Sequence, residues 1–460
     1  MLAPYESYQE SQSPFSRTIP AHWEEKRLSW IFSTRSVQNC ANEELLSVFL
    51  DKGVVSYSST SQKQVHKPSD DMSKYQLVEP GDFVLNNQQA WRGSVGISRY
   101  RGIVSPAYIV LRPRINVNQS FLNYMVRDSS IIDQFVLASK GVGSIQRQIY
   151  IPYMKRTVFA LPPLYEQDQI VRFLDWKTTE IARFVKGKKK EIAYLTELKN
   201  SLIFHAVTKG CRPTATKMCQ QKWIGDIPAH WEEKMLFQCA TEQNISNKNV
   251  HNQNLLSLSY GKIVNKDINT TTGLLPASFD TYQIIHDGNI ILRLTDLQND
   301  HKSLRVGLST QTGIITSAYT CLKPRAHVLP EYLYLLLHSY DVSKLFYGMG
   351  GGVRQSIGYN DIRRMIVLLP PKEEQEEIVT YCHGVQTKID LLIDSIKNEI
   401  SYLGELRTRT IADVVTGKVD VRGVIIPEYE MTTYDEIDED INEDTTDESE
   451  EETLDEEVDD

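Results

Sequence analysis

Apolar positions fall into two textures that alternate along the chain. Between residues 28 and 118, runs such as Phe83-Val84-Leu85 and Ala107-Tyr108-Ile109-Val110-Leu111 are short and bounded by Gly, Pro and Asn. They predict strands in a mixed α/β globule. A short helix is expected at Ser120–Arg127 and a closing strand near Thr157–Leu161. After Pro162-Pro163 the texture changes. Ile170, Leu174, Ile181, Phe184, Ile192, Leu195, Leu198, Leu202 and Ala206 recur at helical spacing, weakest around Lys186-Gly187-Lys188-Lys189-Lys190. The same change follows Pro370-Pro371, where Ile378, Cys382, Val385, Ile389, Leu392, Ile396, Ile400, Leu403, Leu406 and Ile411 keep close to a 3.5-residue period. Such a narrow stripe predicts a long helix with one partner helix.

The alternation arises because the chain repeats itself once. Ile19-Pro20-Ala21-His22-Trp23-Glu24-Glu25-Lys26 recurs as Ile227-Pro228-Ala229-His230-Trp231-Glu232-Glu233-Lys234, an offset of 208. Pro162-Pro163 with Glu166-Gln167 recurs as Pro370-Pro371 with Glu374-Gln375, and Val207-Thr208 recurs as Val415-Thr416. A period this long makes each copy a domain plus an appendage. The predicted order is an N-terminal extension 1–18, globule 19–162, helix 163–210, linker 211–226, globule 227–370, helix 371–421 and tail 427–460. A two-fold relation between the copies would pair the helices antiparallel. Each helix of about 40 residues would span roughly 60 Å at 1.5 Å per residue, holding two like globules apart as a ruler. The fold class expected is mixed α/β (α+β): two pseudo-symmetric globules separated by two long antiparallel, coiled-coil-like spacer helices.

Charge modifies this picture in one respect. The net charge of −10 comes from the tail: Glu428–Asp460 holds 19 acidic residues and no Lys or Arg, leaving 50 basic against 41 acidic residues elsewhere. A mildly basic body permits nucleic-acid binding without proving it. The tail is too charged to fold alone; it reads as a disordered solubilising segment, or as one that shields a basic face. No apolar run is long enough to span a membrane, and the start lacks a secretory pattern. The six cysteines form no CxxC pair and no zinc spacing, which reads as reduced thiols in a cytoplasmic protein.

Trp223-Ile224-Gly225-Asp226-Ile227-Pro228-Ala229-His230-Trp231, the two Leu-Pro-Pro segments followed by Glu-Gln, and Val415-Thr416-Gly417-Lys418 together resemble the specificity subunit of type I restriction-modification systems. The resemblance covers nearly all of residues 19–421. The first copy departs from it by lacking Trp-Ile-Gly before Ile19 and by ending in Val-Thr-Lys-Gly. The resemblance implies that each globule is a target-recognition domain reading one half of a bipartite site in double-stranded DNA. It also implies that two methyltransferase subunits dock on the helices, and that endonuclease/translocase subunits join through them. It implies no catalytic residue, cofactor or metal in this chain. The alternative is a degenerate, scaffold-like paralogue that binds methyltransferase subunits without reading DNA. A stand-alone nuclease is a third class, but Glu197-Leu198-Lys199 sits mid-heptad, where charges form a solvated face.

Candidate DNA contacts come from the Gly-rich loops Lys140–Gln148 and Gly348–Ser356 and from stretches where the copies diverge, Gly53–Lys74 and Lys262–Thr281. Glycine lets backbone approach a ligand, and Arg and Gln read guanine and adenine edges. The candidates are Lys140, Ser144, Gln146, Arg147 and Gln148, with Arg354, Gln355 and Ser356 in the second loop. Arg92, Arg99 and Arg101 in the first copy are set against Arg293, Lys302 and Arg305 in the second. The bland readings are a structural turn for the loops and solvated surface charge for the cations. His22-Trp23 and His230-Trp231 read as turn anchors rather than catalytic or metal sites, because Trp beside Pro buries well.

Overall fold

The computed structural model describes residues 3–50, 52–59, 68–69, 71–141, 147–250, 252–268, 278–295, 297, 304–349 and 357–430. They divide into two compact units. One joins the residues up to Gly187 with those from Glu399 onward, and the other holds Lys188–Asn398. Each unit therefore contains one globule, the first part of one long helix and the last part of the other.

The two globules are built from the same pieces in the same order. In the first, a four-stranded antiparallel sheet runs Phe32–Thr34, Tyr108–Pro113, Phe83–Asn86, Val95–Ile97; in the second it runs Ala240–Gln243, Thr320–Pro324, Ile290–Leu292, Val306–Leu308. Glu24–Arg27 pairs with Val158–Leu161, as Glu232–Met235 pairs with Ile366–Leu369. The expected short helices are Gln119–Val126 and Pro330–Val342. The expected extension and linker are instead parts of the globules. Tyr8–Glu10 pairs with Thr18–Pro20, and Thr216–Met218 pairs with Asp226–Pro228. These strands escaped the periodicity reading because they are short and mostly exposed.

The long helices are Leu164–Lys209 and Lys372–Val415. Each starts in a clamp that explains the Pro-Pro…Glu-Gln motif. Glu166 is fully buried; it accepts bonds from Tyr5 Oη (2.7 Å) and Trp23 Nε1 (2.9 Å) and lies 2.7 Å from His22 Nε2. Gln167 accepts from the Asn118 backbone N–H and donates to the Pro162 carbonyl, both at 2.8 Å. In the second copy Glu374 meets His230 at 2.8 Å, and Gln375 accepts from Leu329 N–H (2.8 Å) and donates to the Pro370 carbonyl (2.9 Å). A buried carboxylate is tolerated only when so satisfied. His22 and His230 thus serve as turn anchors.

The helix ends close each unit from the other side. In the first unit Val414, Val415 and Val421 join the core that holds Trp23, Ile170 and Leu174, and Asp420 N–H donates to the Ala3 carbonyl. In the second, Ile203, Ala206 and Val207 join Trp231, Ile378, Val379 and Cys382. Early residues of one helix therefore meet late residues of the other in both units, which is an antiparallel arrangement. Ile181, Ala182 and Val185 pack on Ile400 and Leu403, and Lys199 pairs with Asp390 at 2.7 Å.

Two expectations about the helices change. The Lys-rich stretch does not weaken the first helix, which runs through Gly187 unbroken. A helix already anchored by packing propagates past one glycine costing about 1 kcal/mol. The apolar seam also shifts: Val185 and Ile393 are buried, whereas Phe184, Leu198, Leu392 and Leu406 are exposed. A straight helix drifts about 20° per heptad from a strict seven-residue repeat, so adjacent apolar residues exchange roles along it.

Gly417 has φ +73°, and a Cβ there would lie 2.5 Å from Pro20 Cδ and 3.2 Å from the Trp23 ring. Gly417→Ala should therefore lower stability by about 2–4 kcal/mol, through left-handed strain and displaced core packing. Gly404 is the contrast, since it is helical and a Cβ added there would meet nothing within 4 Å. Gly404→Ala should stabilise by about 0.5–1 kcal/mol. Urea unfolding of both variants checks the pair. All six cysteines are free. Burial pushes the thiols of Cys321 and Cys382 up to about 12 and that of Cys239 up to about 11. A thiol reagent at mildly alkaline pH should label half-exposed Cys40 well before these three, which react only on unfolding.

Candidate nucleic-acid interface

In the first globule, a short pairing brings several candidates together. The helix Ser129–Leu137 ends at Ala138 and leads into Ser139–Lys140, which pairs with Gln148–Ile149, Lys140 opposite Gln148. Ile149 N–H donates to the Asn87 carbonyl at 3.0 Å, tying this hairpin to the loop after strand Phe83–Asn86. That loop turns through Ala90–Arg92, where Trp91 Nε1 donates to the Gln88 carbonyl at 2.8 Å. Arg147 reaches across: one guanidinium nitrogen donates to the Val136 carbonyl at 2.9 Å, and its central carbon lies 4.9 Å from the Trp91 ring centroid. Arg92 lies 5.5 Å from the same centroid.

Beside it, Lys140 Nζ sits 3.7 Å from the Tyr150 ring centroid and 5.0 Å from that of Tyr153, and Arg156 stands 5.6 Å from Tyr153. The two tyrosines meet edge to face at 4.9 Å. The result is a surface cluster of cations on aromatic rings. Of the residues singled out in the sequence, Arg92, Lys140, Arg147 and Gln148 lie in or beside it; Trp91, Tyr150, Tyr153 and Arg156 escaped the sequence reading. Their signal was available in Trp91-Arg92 and in Tyr153-Met154-Lys155-Arg156, where aromatic and basic residues interleave.

The other described candidates are placed differently. Arg99 is exposed, and its charge acts on Asp175 of the first long helix. Arg101 is exposed but paired with Glu43 (2.9 Å) and Glu79 (3.0 Å). In the second globule Arg305 and Arg293 are buried rather than surface contacts. The Arg305 side chain donates to the Thr295 carbonyl (2.7 Å), the Arg293 carbonyl (3.3 Å) and the Tyr347 hydroxyl (3.0 Å), while its backbone N–H donates to Asp341 Oδ2 at 2.6 Å. Its guanidinium saturates carbonyls that sheet pairing leaves open, which corrects the expectation of a surface cation. Ser144, Gln146, Lys302, Arg354, Gln355 and Ser356 lie outside the described residues, as do the tail from residue 431 and parts of both divergent stretches.

Known proteins share this frame. The family model for "Type I restriction modification DNA specificity domain" matches residues 20–194, the first globule and the start of its helix, and that unit is the one the chain repeats. The likeness of this chain to that family rests on those residues. A relative in Methanocaldococcus jannaschii, described as a putative type I restriction enzyme MjaX specificity subunit, is 23% identical over 374 residues, 77% of this chain and 81% of its own length. A solved structure from work on complex assembly and conformational transition of the type I R-M system covers 87% of this chain and 99% of its own, at a TM-score of 0.58 and 17% identity. That likeness concerns the fold. Neither the Trp91–Tyr153 cluster nor the buried Arg305 follows from the repeated motifs, which lie at the helix junctions.

Removing Arg305 should act on stability. Arg305→Ala leaves buried carbonyls and a tyrosine hydroxyl without their donor, and should cost about 3–5 kcal/mol. Differential unfolding of the full chain checks it; a stability within about 1 kcal/mol of the parent, the size of a surface substitution, would contradict the structural role.

Proposed function

We propose that the chain is the non-catalytic, DNA-reading subunit of a type I restriction-modification assembly. Each globule engages one half of a bipartite duplex target. Two methyltransferase subunits dock on the helices, and endonuclease/translocase subunits join through them. The reading is supported by duplication itself: two like globules, each clamped to the same kind of long helix, suit a ligand that offers equivalent surfaces at a fixed spacing. The buried carboxylate Glu166 is taken up by structural bonds, which suits a scaffold more than an active site. Among the described residues no helix is long and apolar enough to cross a membrane, and we assign the assembly to the cytoplasm.

One observation carries the docking part. Six exposed apolar residues of the two helices match in pairs at the repeat offset: Phe184 with Leu392, Tyr194 with Tyr402, Leu198 with Leu406. Each unit holds one such set, Phe184 with Tyr402 and Leu406 in the first, Leu392 with Tyr194 and Leu198 in the second. Tyr194 and Leu198 share a helix face at i, i+4, as do Tyr402 and Leu406. Solvated apolar side chains in a duplicated pattern suit two copies of one partner.

Two measurements test the proposal. Selection from randomised duplexes by the full chain with methyltransferase subunits should enrich two short base blocks across an unconstrained gap of constant length. Enrichment of no block, with methyltransferase still bound, would leave the scaffold reading. Leu198→Asp and Leu406→Asp should each weaken one of the two docking events by about 2 kcal/mol, roughly thirtyfold, and the double variant should weaken both. Native mass spectrometry of the assembly reads the stoichiometry.

A further inference from the structure

Trp91, Tyr150 and Tyr153 stay at the surface, although Phe135, between them in sequence, is wholly buried in the core. Tyr150 is 39% exposed and Tyr153 44%. Rings placed there are not serving the core. Four cations lie over or beside them: Arg92, Lys140, Arg147 and Arg156. Among the described residues none of the four has an ion-pairing carboxylate, whereas Arg101 has two. Among the described residues the cluster is therefore a concentrated positive surface without carboxylate partners.

Its geometry suits a ligand that is anionic along its backbone and carries acceptors on its edges. A guanidinium held over an indole face has its plane fixed, so its remaining N–H edge meets an acceptor with less ordering cost. Arg147 is held further by its bond to the Val136 carbonyl. Around the rings stand exposed amides, Gln88 and Gln89 on the loop and Gln148 on the hairpin. The hydrogen bond from Ile149 to Asn87 joins loop and hairpin into one piece. Duplex DNA answers both features, with phosphates for the cations and major-groove acceptors and donors for arginine and amide side chains.

The second copy repeats this chemistry only in part, with Lys344 4.7 Å and the buried Arg305 5.2 Å from the Tyr347 ring centroid. The frame matches at offsets of 207 to 211, with Ile366–Leu369 matching Val158–Leu161 and Ile290 matching Phe83. At the positions of Tyr150 and Tyr153, which precede the Val158–Leu161 strand, the sequence has Gly358 and Asp361. Removal of these two rings, with an acid added, changes what the globule attracts there.

We propose that the first recognition domain grips and reads its half of the duplex through a cation–aromatic platform, Trp91 with Arg92 and Arg147 and Tyr150–Tyr153 with Lys140 and Arg156, and that the second domain reads its half by different chemistry. The proposal rests on the DNA-reading function above and adds which residues discriminate one half-site. It makes the two halves of the target unequal in their energetics: the platform half contributes more of the aromatic and phosphate contact.

The test uses the full chain with methyltransferase subunits and a pool of randomised duplexes, with Trp91→Ala, Tyr150→Ala/Tyr153→Ala, Lys140→Gln and Arg147→Gln. Trp91→Ala and the double tyrosine variant should lower affinity for the selected duplex about tenfold or more and blur one base block only. The other block, read by the same molecules, stays sharp and shows that the variant is folded. Lys140→Gln should weaken binding to all sequences alike and reduce the slope of log affinity against log salt by about one. Arg147→Gln should relax the preference at a single position in the same block. If all variants keep both blocks and the parental affinity, the platform is wrong and the DNA-reading function stands. Loss of both blocks together means a structural role and also overturns it. A parent chain that enriches no block removes the DNA-reading function and the platform with it.

Discussion

Everything else in this fold hangs on two carboxylates at the starts of the long helices. Glu166 sits where the first helix leaves its globule, in a site with no access to water, and takes hydrogen bonds from Tyr5 and Trp23 beside His22. The next residue, Gln167, satisfies the backbone of two further segments. A buried charge is costly unless its partners are in place, so the junction has one arrangement. That arrangement joins the Ile-Pro-Ala-His-Trp turn, the end of the closing strand, the cap of the short helix and the first turn of the long one. The glycine after the opposite helix, Gly417, then seats against Pro20 and Trp23, so both long helices terminate on the same few residues.

The second copy shows which parts of this junction are essential. Glu374 and Gln375 repeat the contacts to His230, Leu329 and Pro370. Gly210, with φ +76°, lies against Glu374 and Trp231 as Gly417 lies against Pro20 and Trp23. Away from the junction the copies part company. Where the first globule carries Tyr150 and Tyr153, the second has Gly358 and Asp361. Arg305 of the second is absorbed into its own core. A strictly specified junction leaves the surfaces of the two globules free to differ.

Much of this was legible in the residues themselves. The repeat, the alternation of globule and helix, the short helices and the closing strands follow from apolar periodicity and from punctuation by Pro and Gly. They are legible because they depend on neighbours close in sequence. The seam of the helix pair was only partly legible. Phe184 and Val185 are both apolar, and choosing between them requires knowing where the partner helix lies and how far the straight helix has drifted. The strands Tyr8–Glu10 and Thr216–Met218 were not legible, because pairing by backbone alone leaves no hydrophobic signature.

The sequence by itself therefore determined the frame: a duplicated chain, mixed globules on long helices, and the Glu-Gln motif at each start. Local spacing and internal identity carry that information. Tertiary structure decided which arginines face outward. Arg147 and Arg305 are indistinguishable as letters, yet one lies over a surface indole and the other donates to buried carbonyls. Only the packing of distant segments sets whether a guanidinium has carbonyls to satisfy within the core or remains for a partner.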